Sequence, residues 1–190
     1  MRPEIEENFT AKILDHYPDQ RVELLDGQLV FSPPPTSGHG VAQTAIAAEI
    51  FGRFRGNGPP GGEGWWIMTE IDVAYGPRTV CRHDLGGWRK SRYPRPLEPN
   101  RPRVLERPDW VCEILSPSNA RNDTVEKRRL LHGFGVPHYW IVNPARKTLL
   151  VLRWGQEDWH ELPVLAAGHV GRVEPFDAVE IEVARLFGDA

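Results

Sequence analysis

Residues 109 to 142 constrain the fold more than any other part of the chain. The run DWVCEIL is a continuous apolar stretch closed off by Pro108 and Ser116, the pattern of a buried strand. Downstream, Lys127, Leu130, Leu131 and Phe134 recur at i, i+3, i+4 and i+7, which places them on one stripe of a helix facing a sheet. PHYWIVNP then reads as a second strand. Strand, helix and strand in this order call for a crossover between parallel neighbours. RVELLDGQLVF, turning at Asp26-Gly27, and KTLLVLRW, following the turn Pro144-Ala145-Arg146, add antiparallel hairpins at the two ends. The expected architecture is α/β, a mixed sheet flanked by helices, in a single domain over residues 1–190.

The remaining elements fit around that unit. AKILDHYP suggests a short helix stopped by Pro18, and HGVAQTAIAAEIFGRFR a longer one running to about Arg55 with Ser37 as N-cap. WWIMTEIDVAY and RTVCRHDL read as strands on either side of the Gly76-Pro77 turn. GGWRKSRYPRPLEPNRPRVLERP, with prolines at 94, 96, 99, 102 and 108, reads as a long irregular connection. Asp123, with Glu126 three residues on, is placed as the cap of the helix that ends near Gly133, and WHELPVL as a further antiparallel strand.

Composition removes several classes. A net charge of -3 argues against a protein that coats nucleic acid by charge alone. The charge is uneven, however. Arg82, Arg89, Lys90, Arg92, Arg95, Arg101, Arg103 and Arg107 face only Asp84, Glu98 and Glu106 in the same segment, so an acidic chain carries one basic stretch suited to phosphates or to a solvated loop. No run is long enough to span a membrane, the opening MRPEIEENFT has no apolar signal core, and Cys81 and Cys112 read as buried reduced thiols. A cytoplasmic protein is expected. Zinc-type Cys/His spacing, a phosphate-binding glycine motif and a nucleophile elbow are all missing from the sequence.

Glu113, flanked by Trp110, Val111, Cys112, Ile114 and Leu115, is the residue that needs explaining, because a carboxylate in a buried strand is costly unless paired, hydrogen-bonded or metal-bound. Asp109 shares its face but lies roughly 13 Å along the strand, too far to bind the same cation. Asp84 on the neighbouring strand RTVCRHDL is the better partner. Each carboxylate has opposite parity to its own strand's cysteine, which predicts two carboxylates on one face and two thiols on the other. Lys127, on the sheet-facing stripe, can complete the group by orienting or deprotonating a water and stabilising anionic charge.

The block RPDWVCEILSPSNARNDTVEKRRLLHGFGVPHYWIVNP, together with RVELLDGQLV and His39 opening the next helix, resembles the bacterial restriction endonuclease-like family of the PD-(D/E)xK nuclease superfamily over roughly residues 10 to 155. The resemblance implies a restriction endonuclease-like fold in which Asp84 and Glu113 hold Mg²⁺ or Mn²⁺. The superfamily lysine two residues after the glutamate is Leu115 here, so that role passes to Lys127; Glu23 matches an acidic position of the family opening, as an outer-shell or second-metal group. Asp84 departs from the pattern, since it follows His83 rather than Pro and precedes Leu85-Gly86-Gly87. The implied activity is hydrolysis of DNA phosphodiesters, with Arg89, Lys90 and Arg92 as candidate phosphate contacts. A homodimer would suit cutting of both strands, although no feature specifies an interface. Two rivals stand beside it: a non-catalytic nucleic-acid-binding protein with a degraded site, and a metal-free two-carboxylate hydrolase acting on sugars.

Overall fold

A computed structural model describes residues 10–95, 101–116 and 120–189. Strands β1 (Val22–Leu25) and β2 (Gln28–Phe31) form the first hairpin, closed by Asp26 and Gly27, both at positive φ as a two-residue turn of this hand requires. Helix α1 (Ser37–Phe54) follows, then the long hairpin β3 (Trp65–Gly76) and β4 (Thr79–Arg89). β5 (Trp110–Ile114), α2 (Lys127–Gly133) and β6 (His138–Asn143) make the crossover, and β7 (Thr148–Arg153) pairs back on β6. The strands lie in the order β2-β1-β4-β5-β6-β7, with β3 also on β4. Within this set only β5 and β6 run parallel, so the mixed sheet expected from the sequence is observed.

Helices α1 and α2 cover opposite faces. Ala42, Ile46, Ile50 and Phe54 of α1 pack on Leu85, Trp110, Cys112, Ile114, Trp140 and Val142. Leu131 of α2 packs instead on Val111, Tyr139 and Ile141, the residues of alternate parity. The C-terminal part, where residue patterning predicts little beyond one strand, supplies β8 (His160–Glu161) and β9 (Leu165–Ala166) on β7, and a ribbon of β10 (Val170–Arg172) with β11 (Glu180–Glu182). Between those last two strands Phe176 enters the core, against the rings of Phe54, Trp65, Trp110 and Trp140.

Several local expectations need correction. The N-cap of α1 is Thr36, whose Oγ1 accepts the His39 N–H at 3.3 Å, and not Ser37. Strand β4 does not stop before the glycines but runs to Arg89. Gly86 and Gly87 serve packing there: a Cβ on Gly86 would come 2.9 Å from the Trp88 ring, and one on Gly87 2.9 Å from that of Trp110. Asp123 is no cap. It sits inside a helical turn of the wide π type, Asn122–Glu126, that leads into α2. Residues 96–100 and 117–119, which include Pro96, Pro99 and part of the SPS turn, lie outside the described residues. No helix among the described residues is long and apolar enough to cross a membrane.

Candidate active site

The site is built where the sheet splits. β4 pairs with β1 at Leu24↔Val80 and with β5 from Leu85↔Cys112 onward; between those points, among the described residues, the edge of β4 facing away from β3 has no strand beside it. Backbone polar groups left there must find other partners or be penalised, and side chains provide them. Glu23 Oε1 accepts the Arg82 N–H at 2.8 Å. Lys127 Nζ donates to the Arg82 carbonyl at 3.0 Å, and Gln43 Nε2 to that of Asp84 at 3.0 Å. On the β5 side, the Ile114 N–H donates to Asp84 Oδ2 at 2.7 Å.

Alternation along β4 breaks at this point. Cys81 packs with Leu25 and Leu130 on the α2 face, whereas Leu85 joins the α1 face. Glu70, on β3 opposite Asp84, takes a left-handed φ of 49°, the kind of local irregularity that re-aims side chains beside functional sites. The two thiols therefore do not share a face: Cys112 lies in the α1 cluster and Cys81 in the α2 cluster. Parity counted through the kink misplaces the carboxylates in the same way. Asp84 is held from α1, through His39 Nε2 at 3.0 Å, and Glu113 from α2, through Lys127 Nζ at 3.0 Å.

Both carboxylates nevertheless line one cavity, with Arg21, Glu23, Ser32, Arg82, Asp123 and Lys127. Asp109 lies elsewhere, accepting from the Arg89 N–H and the Arg92 Nε. The cavity measures about 20 Å³, enough for roughly one water. Lys127 Nζ stands 3.0 Å from Glu113 Oε1, 3.0 Å from Glu23 Oε1 and 3.4 Å from Asp123 Oδ1. Burial by itself would lower its pKa, but these three carboxylates outweigh that and raise it well above the usual lysine value. The carboxylates around the amine favour its charged form.

Lys127 alone cannot balance the three carboxylates around it. Burial pushes Glu113 up to about 8, with Lys127 opposing and Asp84 and Glu23 adding to the shift. Burial likewise raises Asp123 well above the ordinary range, against Lys127. Asp84 goes the other way. Burial would raise it, but His39, Lys127 and the Ile114 N–H hold it below its usual value, while His39 is raised because Asp84 and Glu70 overcome its own desolvation. His83, between Tyr75 Oη at 2.8 Å and Glu113 Oε1 at 2.6 Å, is kept neutral by burial and by Lys127, its pKa lowered to about 3.

The donor set suits a hard divalent cation: carboxylate oxygens in excess of the local positive charge. The hydrogen bonds that hold the two carboxylates fall on Asp84 Oδ2 and Glu113 Oε1. As the side chains stand, the carboxylates close around Lys127, and among the described residues no three acidic, His or Cys groups already form a metal cage.

Of the residues singled out in the sequence, Glu23, Asp84, Glu113 and Lys127 come together. Arg89, Lys90 and Arg92 do not. They begin five positions along β4 from Asp84, roughly 16 Å at ~3.3 Å per residue, and are engaged locally: Arg89 with Glu63 and the Trp65 ring, Lys90 with the Gly56 carbonyl and the Trp66 ring, Arg92 with Asp109 and the Tyr93 ring. Sequence reasoning missed Asp123, Arg21, Arg82 and the site role of His39. Asp123 carried a readable signal, its i, i+4 spacing to Lys127.

Fold and site together define a restriction endonuclease-like α/β protein. A family model described as Uma2, putative restriction endonuclease, matches residues 7–184; the chain belongs to that family. It is also similar to a solved structure described as a putative nuclease belonging to DUF820 from Anabaena variabilis ATCC 29413, with 21% identity and a TM-score of 0.64 over 88% of this chain and 89% of that one. No curated protein matches the sequence.

Proposed function

We propose that the protein is a divalent-metal-dependent endonuclease that hydrolyses phosphodiester bonds of DNA. Family membership supports a nuclease. The observation that carries the finer reading is the meeting of Asp84, Glu113 and Lys127 in one cavity, with the Lys127 ammonium 3.0 Å from Glu113 although Leu115 occupies the usual lysine position. Asp84 and Glu113 would hold Mg²⁺ or Mn²⁺, which when bound supplies Lewis-acid polarisation of the phosphoryl group and a more acidic water.

The protein's own groups do the rest. His39 and the Ile114 N–H fix Asp84 Oδ2, and Lys127 is a buried donor for the negative charge that grows on the phosphoryl oxygens as water oxygen bonds to phosphorus and the bond to the leaving oxygen breaks. Arg21 and Arg82, at the cavity wall and paired with Glu70 and Asp72, would exchange those carboxylates for phosphates next to the scissile one. Arg89, Lys90 and Arg92 would reach the backbone several nucleotides away, and two copies of the chain would be needed to cut both strands in one encounter.

Plasmid cleavage tests this reading. Mn²⁺ or Mg²⁺ should support nicking that EDTA abolishes and that Glu113→Gln lacks; cleavage that persists in EDTA overturns it. A second reading, a nucleic-acid-binding protein that no longer cuts, is favoured by the small cavity and by the closure of carboxylates around Lys127. Calorimetry separates the two, because a relic shows no Mn²⁺ uptake that depends on Glu113.

A further inference from the structure

Tyr75, His83 and Glu113 stand on three successive strands, β3, β4 and β5. The His83 ring is wholly buried between the other two, with Nδ1 2.6 Å from Glu113 Oε1 and Nε2 2.8 Å from the Tyr75 hydroxyl. Proton positions follow from what each atom can do. Lys127 has only donors, so Glu113 Oε1 accepts from it at 3.0 Å. An oxygen already accepting from an ammonium is the natural acceptor for a ring N–H as well, which puts the imidazole proton on Nδ1. Nε2 is then a bare lone pair, and the Tyr75 hydroxyl donates to it. Tyr75 is itself fixed by stacking on Phe134 at 4.9 Å between ring centres. Every donor in the series points toward the carboxylate.

We propose that His83 is a positioning residue for Glu113: locked as the Nδ1–H tautomer by Tyr75, it holds Oε1 and leaves Oε2 for a divalent cation. The need for it is structural. The β4–β5 ladder ends at Leu85↔Cys112, so no strand pairing holds Glu113 in register with β4, and Lys127, at the end of a flexible stem, does not by itself fix the carboxylate plane. The rigid ring does, by tying Glu113 to two strands at once. Outer hydrogen bonds of this kind orient ligating groups. This inference rests on the reading of Glu113 as a metal ligand.

Two measurements on the full chain decide it. Nitrogen-15 NMR of the metal-free protein should find His83 protonated at Nδ1 and bare at Nε2, and Tyr75→Phe should release it into a mixture of tautomers. A parent with the proton on Nε2 overturns the proposal. Mn²⁺ titration by calorimetry should then show His83→Phe weakening affinity by about tenfold or more, while His83→Asn stays within about threefold of the parent, because the Asn amide nitrogen lies the same number of bonds from Cβ as Nδ1. A Phe variant that binds like the parent, or an Asn variant as weak as Phe, overturns it too. Should the parent itself take up no Mn²⁺, the metal reading fails together with the Oε2 half of the proposal, and the tautomer alone decides whether His83 holds Glu113.

Discussion

Lys127 and Glu113 meet at 3.0 Å across the seam between α2 and β5, with side-chain exposures of 3% and 2%. Removing the amine from such a contact leaves the carboxyl group without its donor and drives its pKa, already raised to about 8 by burial, further up.

Lys127→Met keeps the apolar stem and deletes the charge. The metal-free variant should lose about 1–3 kcal/mol of stability in urea denaturation, because the Arg82 carbonyl and the three carboxyl groups lose their shared donor, while proton uptake relieves the repulsion between the acids. Mn²⁺ should recover part of that loss, giving the variant a larger Tm increase on metal addition than the parent shows. With metal supplied, cleavage should still fall by on the order of 10²-fold. Parental rates in Lys127→Met, in an assay where Glu113→Gln is dead, would remove the ammonium from the chemistry.

Glu23 separates charge from hydrogen bonding. Its Oε1 accepts the Arg82 N–H at 2.8 Å, a task the Gln carbonyl can also perform. Glu23→Gln should therefore hold stability nearly level, whereas Glu23→Ala, which strands a buried amide, should cost about 1–3 kcal/mol. Equal midpoint shifts for the two variants in urea would show that the charge, and not the hydrogen bond, sets the contribution.

Gly87→Ala tests the close approach of the sheet to its aromatic layer. The added methyl would lie 2.9 Å from the Trp110 ring and 3.1 Å from Ile67 Cδ1, so repacking should cost about 1–3 kcal/mol. A melting temperature equal to the parent's would mean that Trp110 moves aside freely.

Glu63 restrains Arg89. Burial would raise its pKa, but hydrogen bonds from Ser91 and Arg89 and the Arg89 charge outweigh that and hold it below the usual carboxylate value. A depressed acid contributes stability above its unfolded pKa and loses that contribution as pH falls through its lower folded value. Glu63→Gln should thus cost less than about 1 kcal/mol at pH 7, the pair being partly exposed, and the deficit should vanish below the carboxylate range. The same change frees the Arg89 guanidinium. DNA affinity should become more salt-dependent by up to about 0.9 in log–log slope for each further phosphate neutralised, and Arg89→Ala should abolish that increment. A slope that neither change moves would take Arg89 out of any DNA interface.

The crossover over residues 109 to 142 was legible because periodicity changes sharply there, from a continuous apolar run to a helical stripe and back. Glu113 and Lys127 were legible for the same reason, each being a charged residue at a position whose neighbours are core. What eluded the sequence is what depends on irregular backbone. The face change at Asp84 has no period, and the glycines after it read as strand breakers until the rings of Trp88 and Trp110 are seen lying over them. Of the Arg-rich stretch the sequence showed the charge and not the local pairing, because the partners that engage it, Glu63 and Asp109, sit 26 and 17 residues away in sequence.

The gap in the sheet couples two properties that are usually separable. Glu23, Lys127, Gln43 and Asp84 take the place of a missing strand, satisfying main-chain groups of Arg82, Asp84 and Ile114. Selection for a chain that folds would therefore retain these residues in a descendant that had stopped cutting altogether. Presence of these residues in a relative would therefore not by itself be a record of catalysis, and sequence drift has a low-cost step open to it at Glu23, where an amide keeps the hydrogen bond from Arg82 while Glu113 and Asp123 still face Lys127.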